Sequence, residues 1–208
     1  MNSPFLVAQI SDLHLKADHK LTYGVVDCLG ALRRAVDHLN ASQPRPDIVV
    51  ISGDLVDFGR PDEYALLATE LARLHMPFYL VPGNHDVREH LLATFASHTY
   101  LPLNAHAPLD WVVEEHPVRL IGLDSTRPGH HGGQVLDSQL LWLDEQLSRR
   151  PDVPTLLILH HPPFITGIGH MDREPFVNAH GLQAVVARHP QVERLLCGHL
   201  HRPMQRRF

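Results

Sequence analysis

With 208 residues, 44% of them hydrophobic, the chain fits one domain spanning residues 1–208 and is long enough to bury a core. A formal net charge of -5 and a sequence pI near 6.4 supply no basic field for a polyanionic backbone, which argues against a nucleic-acid polymer as partner. Cys28 and Cys197, the only cysteines, fall in a predicted helix and a predicted strand and read as reduced packing residues, which points to a cytoplasmic location.

Apolar, β-branched runs recur at residues 5–10, 48–52, 78–81, 118–123, 156–159 and 195–197 and read as buried strands. The first is too short for a signal-peptide core and lacks a basic flank, so it belongs to the fold. No stretch approaches a membrane span, so no membrane partner is expected. Helical patterns lie between the strands. Val25, Leu29, Leu32, Val36 and Leu39 share one face, as do Leu66, Leu67, Leu71 and Leu74. Leu140, Leu143 and Leu147 follow a cap at Asp137 or Ser138, and Leu182, Val185 and Val186 complete the set. Alternating strands and helices make an α/β fold with an at least partly parallel sheet. Residues 111–115 and 118–123, with His116 and Pro117 between them, form a candidate hairpin that would place antiparallel strands in a second sheet.

Five polar clusters each follow an apolar run: Asp12-Leu13-His14, Gly53-Asp54, Gly83-Asn84-His85-Asp86, His160-His161 and Gly198-His199-Leu200-His201. Open α/β sheets bind ligands at the carboxyl ends of their strands, so these loops are expected to converge on one rim. Carboxylate, imidazole and amide oxygen form a donor set that suits zinc, manganese or iron, and seven candidate ligands exceed one tetrahedral ion. Two ions sharing a carboxylate use them all, and a two-metal site is suited to displacement at phosphorus. The alternating spacing in Asp12-x-His14 and His199-x-His201 is expected to direct two side chains to one side of an extended segment.

The order D-x-H, G-D, G-N-H-D, H-H-P-P, G-H-x-H resembles the calcineurin-like metallophosphoesterase superfamily. His160-His161-Pro162-Pro163, with Met171-Asp172 beyond it, is similar to the class III cyclic nucleotide phosphodiesterase and glycerophosphodiesterase branch. Leu136, Gln139, Leu140, Trp142 and Leu143 also resemble its helix before the histidine strand. The likeness spans residues 5–203. It implies a four-layer α/β/β/α sandwich, one metal held by Asp12, His14, Asp54 and His201, and a second held by Asp54, Asn84, His160 and His199. Asp54 bridges. His161 then falls to the substrate pocket, His85 to the leaving-group oxygen as donor or general acid, and Asp86 to the carboxylate that orients His85.

The cofactors implied are two divalent or mixed-valence ions: manganese, iron or zinc, with cobalt as a further option. Against Asp12, Asp54 and one bridging hydroxide, two dications leave a local charge of about +1, which attracts a diester monoanion. Metal binding brings water to a pKa of around 7, so a hydroxide nucleophile is available. The expected reaction is hydrolysis of small phosphodiesters, either glycerophosphodiesters or 3′,5′-cyclic nucleotides. A phosphomonoesterase is the near alternative. A non-catalytic protein that binds metal or nucleotide is the third, disfavoured because a pure binder has no need of an acid such as His85.

The other histidines read as structural: His38, His75 and His189 near helix ends, and His19, His90, His98, His106, His116 and His180 without motif context. Residues 124–134, with Arg127, His130 and His131, and residues 164–176, with Gly167, His170 and Asp172, read either as mobile turns or as substrate contacts. Phe208 stands seven residues after His201, whereas the resembled branch continues into further strands and a C-terminal cap. Their absence here is an expectation: either the chain is a truncated product, or it is a minimal version whose bare sheet edge is covered by another chain, as in a homo-oligomer.

Overall fold

The computed structural model describes residues 4–18 and 20–208, so His19 lies outside the described residues. The apolar runs form two sheets. Strands β1 (Val7–Ile10), β2 (Ile48–Ser52) and β3 (Phe78–Val81) are all parallel, with β2 central and wholly buried. The second sheet runs β4 (Trp111–Val113), β5 (Arg119–Gly122), β6 (Thr155–Ile158), β7 (Val192–Leu196), with β4 antiparallel to β5 and the other pairs parallel. The candidate hairpin therefore forms, and it supplies the antiparallel edge.

Side-chain alternation along the second sheet sets the layer order. Leu120, Leu156 and Ile158 join a core with the first sheet and with helices α1 (Cys28–Ala41) and α2 (Pro61–Leu71). Their neighbours Ile121, Leu157 and Leu159 face the other way, against Leu143 and Leu147 of α4 (Asp137–Arg149) and Leu182 and Val185 of α5 (Ala179–Ala187). The result is an α/β/β/α sandwich. Polar contacts also cross between the sheets, among them the Trp111 indole Nε1–H, which donates to the Leu80 carbonyl at 2.9 Å. Gly122 lies opposite Trp111 in the ladder, and a Cβ there would stand 2.2 Å from the indole. Gly122→Ala is expected to destabilise the fold by about 1–3 kcal/mol, the usual cost of overpacking a core. Urea unfolding checks this; a midpoint equal to the parent's would contradict the contact.

Helix boundaries depart from the periodic pattern where local hydrogen bonds decide. Asp27 caps α1 by accepting from the Gly30 amide at 2.8 Å, after a tight turn that pairs Thr22 with Val26. Val25 thus lies outside the helix and is 77% exposed. Leu74 lies past the end of α2. At α4 the cap is Leu136 and not Asp137 or Ser138: the Gln139 side chain reaches back to accept the Leu136 amide at 2.9 Å. Helix α3 (Arg88–Thr94) was not expected, being too short to display a periodic stripe. His189 ties α5 to α4 through Asp144, 2.7 Å away. Cys28 and Cys197 are free thiols; Cys28 opens α1 and Cys197 stands just beyond β7. No helix among the described residues is long and apolar enough to cross a membrane.

Candidate metal centre

All five polar clusters lie at carboxyl ends of strands, and the rim they share is the seam between the two sheets. Past β1 and β2 the chains stay paired, with the Asp12 amide donating to the Gly53 carbonyl and the His14 amide to the Asp54 carbonyl, both at 3.0 Å. From the other sheet, His160 Nδ1 donates to the Ser52 carbonyl at 2.8 Å and the Gly198 amide donates to the His160 carbonyl at 2.9 Å. Close backbone approach needs glycine at two of these positions. A Cβ on Gly198 would stand 2.5 Å from the Ser52 oxygen, and one on Gly83 would stand 2.2 Å from Asp54 Oδ1.

The segments are not extended, which corrects the alternation expected for Asp12-x-His14 and His199-x-His201. Asp12, His14, Asp54, His199 and His201 all take positive φ, between 41° and 72°. They make up five of the seven non-glycine residues in that region among the described residues. Left-handed backbone is costly for such side chains and persists where the surroundings impose it, which is common at functional sites. Leu13 and Leu200, between the paired residues, are buried. They anchor the loops in the core while the polar side chains turn to the rim.

Around Asp54 the polar atoms form two adjoining sets. In one, ligand atoms of Asp12, His14, Asp54 and His201 all lie within 4.8 Å of one another, with His14 Nε2 3.0 Å from His201 Nε2 and His201 Nε2 3.4 Å from Asp12 Oδ1. In the other, His160 Nε2 is 3.2 Å from Asp54 Oδ2 and 3.3 Å from His199 Nδ1. Asn84 Oδ1 meets His161 Nε2 at 3.2 Å, so the His161 ring stands inside this second set, grouped with His160 and His199. Among the described residues, the other histidines read as structural enter none of these groups.

The electrostatics fit a cation. Burial raises the Asp54 carboxyl, yet the charge of His160 and the His85 amide, which donates to Oδ1 at 3.0 Å, hold it well below the usual carboxylate range. Burial lowers His160, and Asp54 overrides that to raise it to about 9. Burial and the charge of His160 depress His161 and push His199 down to about 4, while burial lowers His14. The hydrogen bond to Asp12 raises His201 instead, while His14, His161 and His199 are held toward the neutral imidazole, the form that binds metal. Ring nitrogens converging within 3.0–3.3 Å of each other beside carboxylates form a borderline N/O donor set that fits a divalent ion.

Residues beside the two sets have clear partners. His85 donates from Nδ1 to the Asp57 carbonyl at 2.8 Å, and its ring meets the His14 ring edge-on at 4.6 Å. Asp86, read from sequence as the group orienting His85, has other partners. Its carboxylate accepts from the Leu55 and Gly83 amides at 3.1 and 2.8 Å and from the Tyr64 hydroxyl at 2.8 Å. It therefore fixes the loop, and the Asp57 carbonyl orients the ring. Ser125 Oγ pairs with His161 Nδ1 at 2.9 Å and accepts the His161 amide at 3.1 Å. The loop holding Ser125 is anchored by Arg88 Nε on Asp124 at 2.6 Å. In that loop His130 turns away toward Glu174, 3.4 Å distant. Asp172 closes its own turn by accepting from Thr166 and Gly167. A small pocket opens beside His161 and His199, lined by Gly133, Phe164, Met171 and Phe176. Sequence reasoning missed Asp57, Ser125 and Tyr64, because each acts through a contact distant in sequence.

Two packed sheets with a His/Asp rim at their seam define an α/β metallohydrolase sandwich. The family described as calcineurin-like phosphoesterase matches residues 5–203. A probable glycerophosphodiester phosphodiesterase GpdQ of Arcobacter nitrofigilis is 40% identical over 198 residues, covering 95% of this chain and 72% of the relative. Glycerophosphodiester phosphodiesterase GpdQ of Enterobacter lignolyticus is 38% identical over 202 residues, 94% of this chain and 70% of its own. A cAMP/cGMP dual specificity phosphodiesterase of Mycobacterium tuberculosis is 36% identical over 201 residues, 95% and 62% respectively. The chain belongs to the calcineurin-like phosphoesterase family.

Proposed function

We propose that the chain is a single catalytic domain that hydrolyses small phosphodiesters at a two-metal centre. Asp12, His14, Asp54 and His201 hold one ion, and Asp54, Asn84, His160 and His199 hold the other. The observation that carries this reading is the place of Asp54 Oδ2, 3.5 Å from His14 Nε2 and 3.2 Å from His160 Nε2, where one carboxylate serves both sets. The mixed carboxylate, imidazole and amide donors suit manganese, iron or zinc. When bound, such a pair supplies positive charge for the phosphoryl oxygens and acidifies water.

The chain's own residues do the rest. With His85 Nδ1–H held by the Asp57 carbonyl, the doubly protonated ring would pass its Nε2 proton to the departing alkoxide and remain as the neutral Nδ1–H imidazole. His161, locked by Ser125 and buried, lines the substrate side of the second set. Glycerophosphodiesters are the first substrate class and cyclic nucleotides the second, in the order of identity to the relatives so named.

A rate panel with manganese tests the proposal: bis(p-nitrophenyl) phosphate, p-nitrophenyl phosphate, cyclic AMP and glycerophosphoethanolamine. Diesters are expected to be turned over faster than the monoester, with glycerophosphoethanolamine ahead of cyclic AMP. A faster monoester would make the protein a phosphomonoesterase, and two bound ions with no turnover would make it a binder.

A further inference from the structure

Asp110, which precedes β4, and Asp124, which follows β5, are tied to each other's backbone at the antiparallel edge of the second sheet. The Asp124 amide donates to Asp110 Oδ1 and the Leu109 amide to Asp124 Oδ2, both at 2.9 Å. Gln139 of α4 closes the clasp: its Nε2 donates to Asp110 Oδ1 at 2.9 Å and to the Asp124 carbonyl at 3.0 Å. The buried Asp124 carboxylate also accepts from Arg88 Nε of α3 at 2.6 Å and from the Thr126 amide and hydroxyl at 2.9 and 2.6 Å. Two carboxylates therefore share one guanidinium. Between Asp124 and Thr126 stands Ser125, whose hydroxyl holds both the ring and the amide of His161, so α3, α4 and the start of β4 all converge on the loop that seats this histidine.

Resting on the two-metal reading, we infer that Asp110 is a positioning residue for the substrate side of the site: with Gln139 and the Arg88–Asp124 pair it seats the loop after β5, and through Ser125 the ring of His161. The charges that face Asp110 are Asp124 from that loop and Arg88 from α3, while α4 presents the neutral Gln139. Burial pushes the Asp110 carboxyl up from its ordinary 3.8 to about 7; its two hydrogen bonds and Arg88 oppose this, and the charge of Asp124 adds to it. The neutral acid keeps Oδ1 as an acceptor, carries its proton on Oδ2 and leaves Arg88 to Asp124. Ionisation sets a second negative charge against Asp124 and draws on the same guanidinium, which loosens the clasp. The hold on substrate should therefore weaken as pH rises through about 7.

KM and kcat for bis(p-nitrophenyl) phosphate from about pH 6 to about pH 9, in the manganese-loaded parent, Asp110→Asn and Asp110→Ala, test the inference. In the parent, KM is expected to climb above about pH 7, by at most about tenfold per pH unit, the limit for one proton. Asp110→Asn keeps an acceptor oxygen and cannot ionise, so its KM should match the parent's at the acid end and stay level above it. Asp110→Ala loses the acceptor, so its KM should be raised about tenfold across the range, the scale of one lost buried partner, with kcat and metal content close to the parent's. Urea unfolding supplies a second readout. A carboxyl raised by folding contributes stability that is complete below 3.8 and is lost as pH rises through about 7, so the midpoint of Asp110→Asn should gain on the parent's toward alkaline pH. Coincident KM profiles in parent and Asp110→Asn would overturn the role, and an unfolding difference with KM unmoved in Asp110→Ala would make Asp110 a support of the fold alone. A parent without turnover overturns the two-metal reading as well, whereas an active parent with indifferent variants sinks the role of Asp110 alone.

Discussion

Asp54→Ala is expected to abolish binding of both ions and to reduce turnover to background. The carboxylate is 2% exposed, and its Oδ2 lies between His14 and His160, so its removal takes a ligand from each set. It also removes the main partner that raises His160 to about 9, so burial then favours the neutral ring. Asp12→Ala, by contrast, takes a ligand only from the set containing His14 and His201, although its carboxylate also accepts the His199 amide at 2.9 Å, and should leave one ion per chain. Metal content by elemental analysis, read beside the rate after chelation and manganese refill, separates the two variants. Full activity with one ion per chain, or activity surviving chelation in the parent, would defeat the two-metal centre.

Strands β2 and β6 were legible because they are buried on both faces and read as unbroken apolar runs, whereas β7, with Glu193 and Arg194 exposed, showed only its last residues. The candidate ligands were legible for a related reason. Each cluster begins where such a run stops, and residues just past strand ends of an α/β sheet share one rim. Three features were not legible. Convergence across a seam depends on contacts such as His160 with Ser52, 108 residues apart, which no local pattern encodes. The left-handed backbone at Asp12, His14, His199 and His201 is imposed by those same contacts, since an Asp-x-His stretch alone prefers the extended form. Asp86 does not fill its expected role for the same reason. Sequence proximity favoured Asp86 as the partner of His85, but the loop geometry sends its carboxylate to Leu55, Gly83 and Tyr64 and brings the Asp57 carbonyl to the ring.

His85→Ala should separate binding from chemistry. The backbone amide of residue 85 donates to Asp54 Oδ1 at 3.0 Å, and alanine keeps that amide, so the shared carboxylate retains its position. The lost ring belongs to neither ligand set; it touches the Asp57 carbonyl and meets the His14 ring edge-on. The variant is therefore expected to hold the parent's metal content with little change in melting temperature. Its kcat should fall by about 10²–10⁴, the usual contribution of a positioned general acid. The loss should depend on the leaving group, because an alkoxide of high pKa needs a proton as the bond to phosphorus breaks, whereas p-nitrophenolate departs without one. The measurement is kcat for glycerophosphoethanolamine and for bis(p-nitrophenyl) phosphate in parent and variant, with metal content taken on the same samples. A large drop on the alkyl ester with a small drop on the aryl ester assigns proton delivery to His85. Equal losses on both would assign it to electrostatic contact with the phosphoryl group, and a missing ion would make it part of the metal site.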